Sequence, residues 1–171
     1  MAAAKTFDFT GEVAIVTGAG SRMPGEIGNG RATAILLARQ GAKVALVVYN
    51  AEWARETKRM IDIEGGVSEV VQTDVTDEES CKNAVSTTVE LFGAVNILIN
   101  IGDPFAPRNT YEIQRELLVG INVTSMLLMS RHVIPDMRMN GRGAIVNMSS
   151  VSSLLGGNPS LLYPTTKGAI I

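Results

Sequence analysis

Short apolar runs alternate along this chain with longer segments whose apolar residues recur every three or four positions. Val13–Thr17 (VAIVT) carries no charge and ends in glycines, which reads as a strand buried on both faces. Lys43–Tyr49, Glu69–Gln72, Asn96–Asn100 and Ala144–Met148 read the same way. Between them lie helix patterns at Arg31–Gln40, stopped by Gly41, at Glu52–Glu64, closed by Gly65-Gly66, and at Glu78–Phe92. The last is the most regular. Its Cys81, Ala84, Val85, Thr88, Val89 and Phe92 share one face, and Thr76 or Asp77 caps its start. A loop rich in Pro and Asn follows the fourth strand. A long helix of about Tyr111–Asn140 comes next, with a bend expected near Pro135. The stretch SSVSSLLGGNPSLL has no clear period and reads as a loop, and Pro164 suits the first turn of a last helix.

Strands alternating with helices predict βαβ units, and so an α/β fold with a doubly wound parallel sheet and right-handed crossovers. No repeat or second domain interrupts the pattern, so residues 1–171 are expected to form one domain. Ligands of such sheets bind at the carboxyl ends of the strands. The residues just after each strand are therefore the ones that carry chemistry.

Composition narrows the choice of partner. Net charge is −2 with no basic block, which argues against nucleic acid or an anionic membrane. No apolar run approaches the roughly 20 residues of a membrane span, and MAAAKTFDFTGE does not read as a signal peptide. One cysteine, Cys81, leaves no internal disulfide and fits a reducing compartment, so the expected home is the cytoplasm. Cys81 lies on an apolar stripe and reads as packing, as does Trp53. His132 has no spaced ligand partner, so no metal site is expected.

Two features carry candidate chemistry. The first is the stretch TGAGSRMPGEIGNGRA, residues 17–32, between the first strand and first helix. Glycines there let the backbone take positive φ and let a pyrophosphate approach closely, and the helix N-terminus adds free N–H groups. A strict G-x-G-x-x-G would need glycine at 23, where Met23 stands. The second is Tyr163-Pro164-Thr165-Thr166-Lys167, which sets a phenol and an amine four residues apart on one helix face. An ammonium nearby favours the phenolate and makes the phenol usable as an acid or base near neutrality. Ser150 lies thirteen residues before Tyr163, just after the fifth strand, and Asn122 sits within the long helix, where Asn is a poor helix former.

In order and spacing these motifs resemble the short-chain dehydrogenase/reductase family, classical type, over nearly the whole chain. The matching residues are the glycine turn Thr17–Gly30, Asp74-Val75, Asn100-Ile101-Gly102, Asn122-Val123, Asn147-Met148-Ser149-Ser150, and Tyr163 with Lys167. The resemblance implies a Rossmann-type sheet of strand order 3-2-1-4-5, binding NAD or NADP and acting on a small alcohol or carbonyl substrate. It implies Tyr163 as general acid/base and Lys167 as the residue that lowers its pKa and holds the nicotinamide ribose. Ser150 would orient the substrate carbonyl, and Asn122 would support a relay water. Gly18, Gly20, Ser21, Arg22, Gly28 and Gly30 would line the phosphates, Asp74 and Val75 the adenine, and Asn100 and Gly102 the adenosine side. It also implies a homodimer or homotetramer.

Four departures qualify that expectation. Gly18 to Gly28 is ten residues where the family has four, so six are extra, and Gly25 and Ile27 are alternative landmarks for the later pair. Val48, Tyr49 and Asn50 end the second strand without the carboxylate usual in NAD-dependent members, whereas Arg22 offers a fork for a phosphate. The choice of NAD or NADP stays open on these residues. The family's Asn-Asn-Ala-Gly is reduced to Asn100-Ile101-Gly102, with Asp103-Pro104 after it. The sequence ends at Ile171, four residues past Lys167, so the last strands of the family fold are expected to be missing and the fifth strand to be a bare edge. If these residues are the whole protein, marginal stability and weak or no activity are expected. The alternative function is then a nucleotide-binding fragment or a subunit partner.

Overall fold

A computed structural model describes residues 7–23, 25–102 and 111–171, and of residues 111–114 the backbone alone. Pro24 of the glycine turn and the loop after the fourth strand, including Asp103-Pro104, lie outside the described residues. Five strands form one parallel sheet: β1 Val13–Thr17, β2 Lys43–Val48, β3 Val67–Gln72, β4 Ile97–Asn100 and β5 Ala144–Asn147. Their order is β3-β2-β1-β4-β5, as the sequence predicts. The helices are α1 Asn29–Arg39, α2 Glu52–Ile63, α3 Glu78–Phe92, α4 Tyr111–Val119, α5 Ser125–Met139 and α6 Leu162–Gly168.

The alternation of side chains along β1 explains the two layers of core. Ala14 and Val16 face α1 and α2, meeting Ala34, Ile35, Ala38, Ala54 and Ile61. Val13 and Ile15 face α3 and α5, meeting Cys81, Ala84, Val85, Met129 and Val133. A strand covered on both faces must be apolar throughout, which is why VAIVT shows no polar alternation. Thr88, inside the apolar face of α3, turns its hydroxyl back onto the Ala84 carbonyl at 2.7 Å.

Three differences from the sequence reading have physical causes. Helix α1 begins at Asn29, two residues before the predicted start, although Asn29 and Gly30 are poor helix formers. Gly30 is pressed onto Gly18, where a Cβ would overlap the Gly18 carbonyl oxygen. Packing therefore sets the helix start. Strand β3 begins at Val67 and not at Glu69, because pairing with β2 continues through Lys43↔Val67 and Val44↔Ser68. The long helix is not one α-helix. A π segment at Gly120–Thr124 joins α4 to α5, and α5 runs on through Pro135. The expected irregularity thus falls a dozen residues earlier, at the turn that carries Asn122.

The stretch Arg115–Met139 is, by length and composition, apolar enough to cross a membrane, which a search for uninterrupted apolar runs does not reveal. Its Leu118, Asn122, Met126, Met129, Val133 and Met137 are buried within the fold. It serves here as a core helix against α3 and the sheet. Asp77, of the two candidate caps, takes the N-cap of α3, with Oδ2 accepting from the Ser80 N–H at 2.7 Å.

Candidate active site

The carboxyl ends of the strands gather nearly every candidate residue. Lys167 on α6 is 2% exposed and donates from Nζ to the Met148 carbonyl, just past β5, at 2.8 Å. Burial holds its pKa below the ordinary lysine value, because the ammonium loses water on folding. The Ser149 hydroxyl donates to the Lys167 carbonyl at 2.7 Å, so the loop after β5 holds α6 at two points. Asn122 is fully buried, and its Nδ2 donates to Thr166 Oγ1 at 3.1 Å. Its Oδ1 has no partner among the described residues. A buried amide oxygen without a donor is costly.

Gly102 joins these groups. A Cβ there would overlap Asn122 Oδ1 and stand 3.3 Å from Lys167 Nζ. The loop after β4 thus rests directly on the Asn122–Lys167 pair, and only glycine fits. Thr17 clasps the same loop, accepting from the Ile101 N–H at 2.9 Å and donating to the Ile101 carbonyl at 3.3 Å. Gly18, with φ +64°, lies beneath it, and a Cβ there would come within 2.8 Å of the Ile101 carbonyl oxygen.

Ser150 caps the short 3₁₀ turn Val151–Ser153, its Oγ accepting from the Ser152 N–H at 3.2 Å. Tyr163 is half-buried on the first turn of α6, with its N–H directed to Ser160 Oγ at 3.4 Å. Among the described residues no hydrogen bond joins the Tyr163 hydroxyl to Ser150 or to Lys167. The structure brings Asn122, Gly102 and Lys167 together and leaves Tyr163 and Ser150 beside them on neighbouring turns.

The glycine turn forms the second half of the site. A Cβ on Gly20 would sit 2.6 Å from the Trp53 carbonyl oxygen, so the turn runs tight against α2. Gly28 differs: nothing lies within 4 Å of where its Cβ would be, and it stands at the N-cap of α1, facing open space. Arg22 lies over the Trp53 ring, 4.7 Å from its centre. At the far end Tyr49, Asn50, Gln72, Thr73, Asp74 and Ser80 line an open cleft of about 520 Å³. Asp74 accepts there from Thr76 Oγ1 at 2.6 Å and from the Thr76 N–H at 2.9 Å. Val75 packs against the core beside it. Asn100 is buried, donates to Asn147 Oδ1 at 2.9 Å, and leaves its own Oδ1 without a partner among the described residues.

Four contributors escape sequence reasoning. Thr17 and Thr166 have no signature beyond their neighbours, and the Met148 carbonyl has none at all. Arg31 reads in the sequence only as a landmark after Gly30, yet it is a buried guanidinium with three acceptors. Cys81 donates to the Val75 carbonyl at 3.4 Å, and burial, aided by Asp77, Asp74 and Glu78, pushes its thiol up to about 11. It stays protonated and unreactive at neutral pH. His132 points Nε2 toward Glu78 at 3.7 Å. No group of three or more metal-binding side chains is found among the described residues.

The comparisons with known proteins show the family and the fold. A family model described as short chain dehydrogenase matches residues 12–171. An uncharacterized short-chain type dehydrogenase/reductase of Sinorhizobium fredii is 38% identical over 151 residues, covering 86% of this chain and 58% of that protein. The 2-(R)-hydroxypropyl-CoM dehydrogenase of Xanthobacter autotrophicus is 36% identical over 167 residues, covering 93% and 64%. The crystal structure of hydroxysteroid dehydrogenase from Escherichia coli superposes with a TM-score of 0.82 at 27% identity, covering 95% of this chain and 66% of that one. The chain spans about three fifths of the length of these two curated relatives.

Proposed function

Since the chain belongs to the short-chain dehydrogenase family, we propose that it forms the cofactor half and the acid/base centre of an NAD(P)-dependent oxidoreductase for an alcohol or carbonyl substrate. The observation that carries this is the junction of Gly102, Asn122 and Lys167, with an orphaned buried oxygen at its centre. The residues fit a dinucleotide. Gly28 leaves room for a pyrophosphate at the start of α1, the cleft at Asp74 has room for an adenine, and Asn122 Oδ1 awaits a donor. When bound, the nicotinamide supplies or accepts the hydride.

The chain's own residues do the rest. Tyr163 gives its hydroxyl proton to the carbonyl oxygen in reduction and takes it from the alcohol in oxidation. Ser150 donates to the same oxygen and orients it. Lys167 holds a positive charge beside the nicotinamide ribose, where it favours the phenolate. Asn122 takes a hydrogen bond from a water that carries the proton onward. The second-strand end Val48, Tyr49 and Asn50 has no carboxylate, and Arg22 is held over Trp53 at the same corner, which favours the 2′-phosphate of NADP. The alternative of a nucleotide-binding fragment shares everything but turnover.

Titration with NADH and NADPH, read by nicotinamide fluorescence, tests the reading. NADPH is expected to bind more tightly, and Arg22→Ala to remove the difference. Failure of both nucleotides to bind would end it. Where the wild type turns over a carbonyl substrate, Tyr163→Phe is expected to lower kcat by at least about 100-fold. Cofactor binding without any turnover would favour the fragment alternative.

A further inference from the structure

We propose that Arg31 is a positioning residue that holds the lengthened Gly18–Gly30 turn in the shape a dinucleotide meets, an inference that rests on the cofactor reading above. Arg31 stands in the first turn of α1 and is 2% exposed. That is a poor place for a cation, because the helix start already carries partial positive charge and burial strips the guanidinium of water. Three of its five N–H donors find acceptors. Nε donates to Thr57 Oγ1 at 3.0 Å, Nη1 to the Glu26 carbonyl at 2.6 Å and Nη2 to the Trp53 carbonyl at 3.5 Å.

One acceptor belongs to the turn and two to α2. Glu26 lies in the extra length of the turn. Trp53 is the residue against which Gly20 is pressed, and its carbonyl also accepts from the Ser21 N–H at 3.0 Å. Thr57 passes its own proton to the Ala19 carbonyl at 2.8 Å. The planar fork therefore ties the outgoing limb of the turn to α2, and α2 in turn holds the incoming limb through Ser21 and Ala19. A lysine ammonium offers no such fork and cannot span three acceptors so placed. Removing Arg31 leaves Trp53 bonded to Ser21 and Thr57 bonded to Ala19. The contacts that disappear are those to Thr57, Trp53 and Glu26, and of these three the Glu26 carbonyl alone has no other bond among the described residues, so the loss falls on the turn and not on the core.

Arg31→Met and Arg31→Lys compared with the wild-type chain test this by three readouts: titration with NADH and NADPH, thermal melting, and the rate of tryptic cleavage at Arg22–Met23. Arg31→Met is expected to bind both nucleotides about tenfold more weakly, which corresponds to one charged hydrogen bond. It is expected to be cut faster at Arg22–Met23, with a melting temperature within roughly 4 °C of wild type. Arg31→Lys is expected to fall between. Binding and cleavage both unchanged in Arg31→Met would overturn the inference. If Arg31→Met does not fold, Arg31→Lys carries the comparison, and wild-type affinity in that variant overturns it equally. If the wild type itself binds neither nucleotide while Arg31→Met is still cut faster, the clamp stands and the cofactor reading is what fails.

Discussion

Lys167 shows how a functional group is kept at a cost. Its burial disfavours the ammonium, so the folded protein releases this proton at lower pH than the unfolded chain does. The cost is therefore present in full below the lowered value, and it is relieved as pH rises from there to the ordinary one of about 10.4. Lys167→Met fills a similar volume without the charge. It is expected to melt no lower than wild type at pH 7, with any advantage shrinking by pH 10, while turnover is lost. Scanning calorimetry at the two pH values checks the first part; a large loss of melting temperature at pH 7 would contradict it. The glycines give a matched pair on the same scale. Gly102→Ala must displace Asn122 or Lys167, and is expected to cost about 1–3 kcal/mol in urea unfolding. Gly28→Ala meets nothing and is expected to unfold like wild type, its effect appearing only in nucleotide binding.

At the scale of elements, Asp77 is a simple test of how α3 is held. Its carboxylate meets the Ser80 N–H at 2.7 Å, and Asp77→Ala is expected to lower stability by about 1 kcal/mol. Glu79→Ala, in the same exposed turn, is expected to lose far less, and equal losses in urea titrations would show that the cap is not the cause. The five strands and the Asp77 cap are legible in the sequence because burial on both faces and local capping each leave a local pattern. The π segment is not. Its residues Gly120-Ile121-Asn122-Val123-Thr124 carry no signal of their own, and a single extra residue per turn blurs the apolar period only slightly. What selects it is tertiary: Asn122 must reach Thr166, and Gly120 must pass Thr76 closely. The site divides the same way. Tyr163, Lys167 and the glycines are legible because their spacing along the chain is itself the constraint. Arg31 and Thr17 are not, because, apart from Glu26 five residues before Arg31, their partners lie 22 to 84 residues away along the chain. Where the Lys167 amine points is equally hidden, since a backbone carbonyl is its acceptor.

At the scale of the whole sheet, β3 is one of the two borders among the described residues, β5 being the other. Val146 is 47% exposed there, with Leu154, Leu155 and Leu161 uncovered nearby. An apolar parallel edge invites pairing with another chain. Concentration-dependent self-association is therefore expected, and Val146→Lys is expected to reduce it without changing the melting temperature by more than about 3 °C. Sedimentation at several concentrations reads this directly, and a monomer at all of them would refute it. The strand order has a further consequence, in time and not in space. Strand β1 is made first and sits at the centre, but its bonds to the region of β4 join residues 83 and 84 positions apart, Val13 to Asn96 and Thr17 to Ile101. The β1–β2–β3 half can pair as it leaves the ribosome, while one edge of β1 must wait for residue 97. Folding is thus committed late, by a contact of long sequence separation, and the nascent chain carries an open apolar edge throughout that delay.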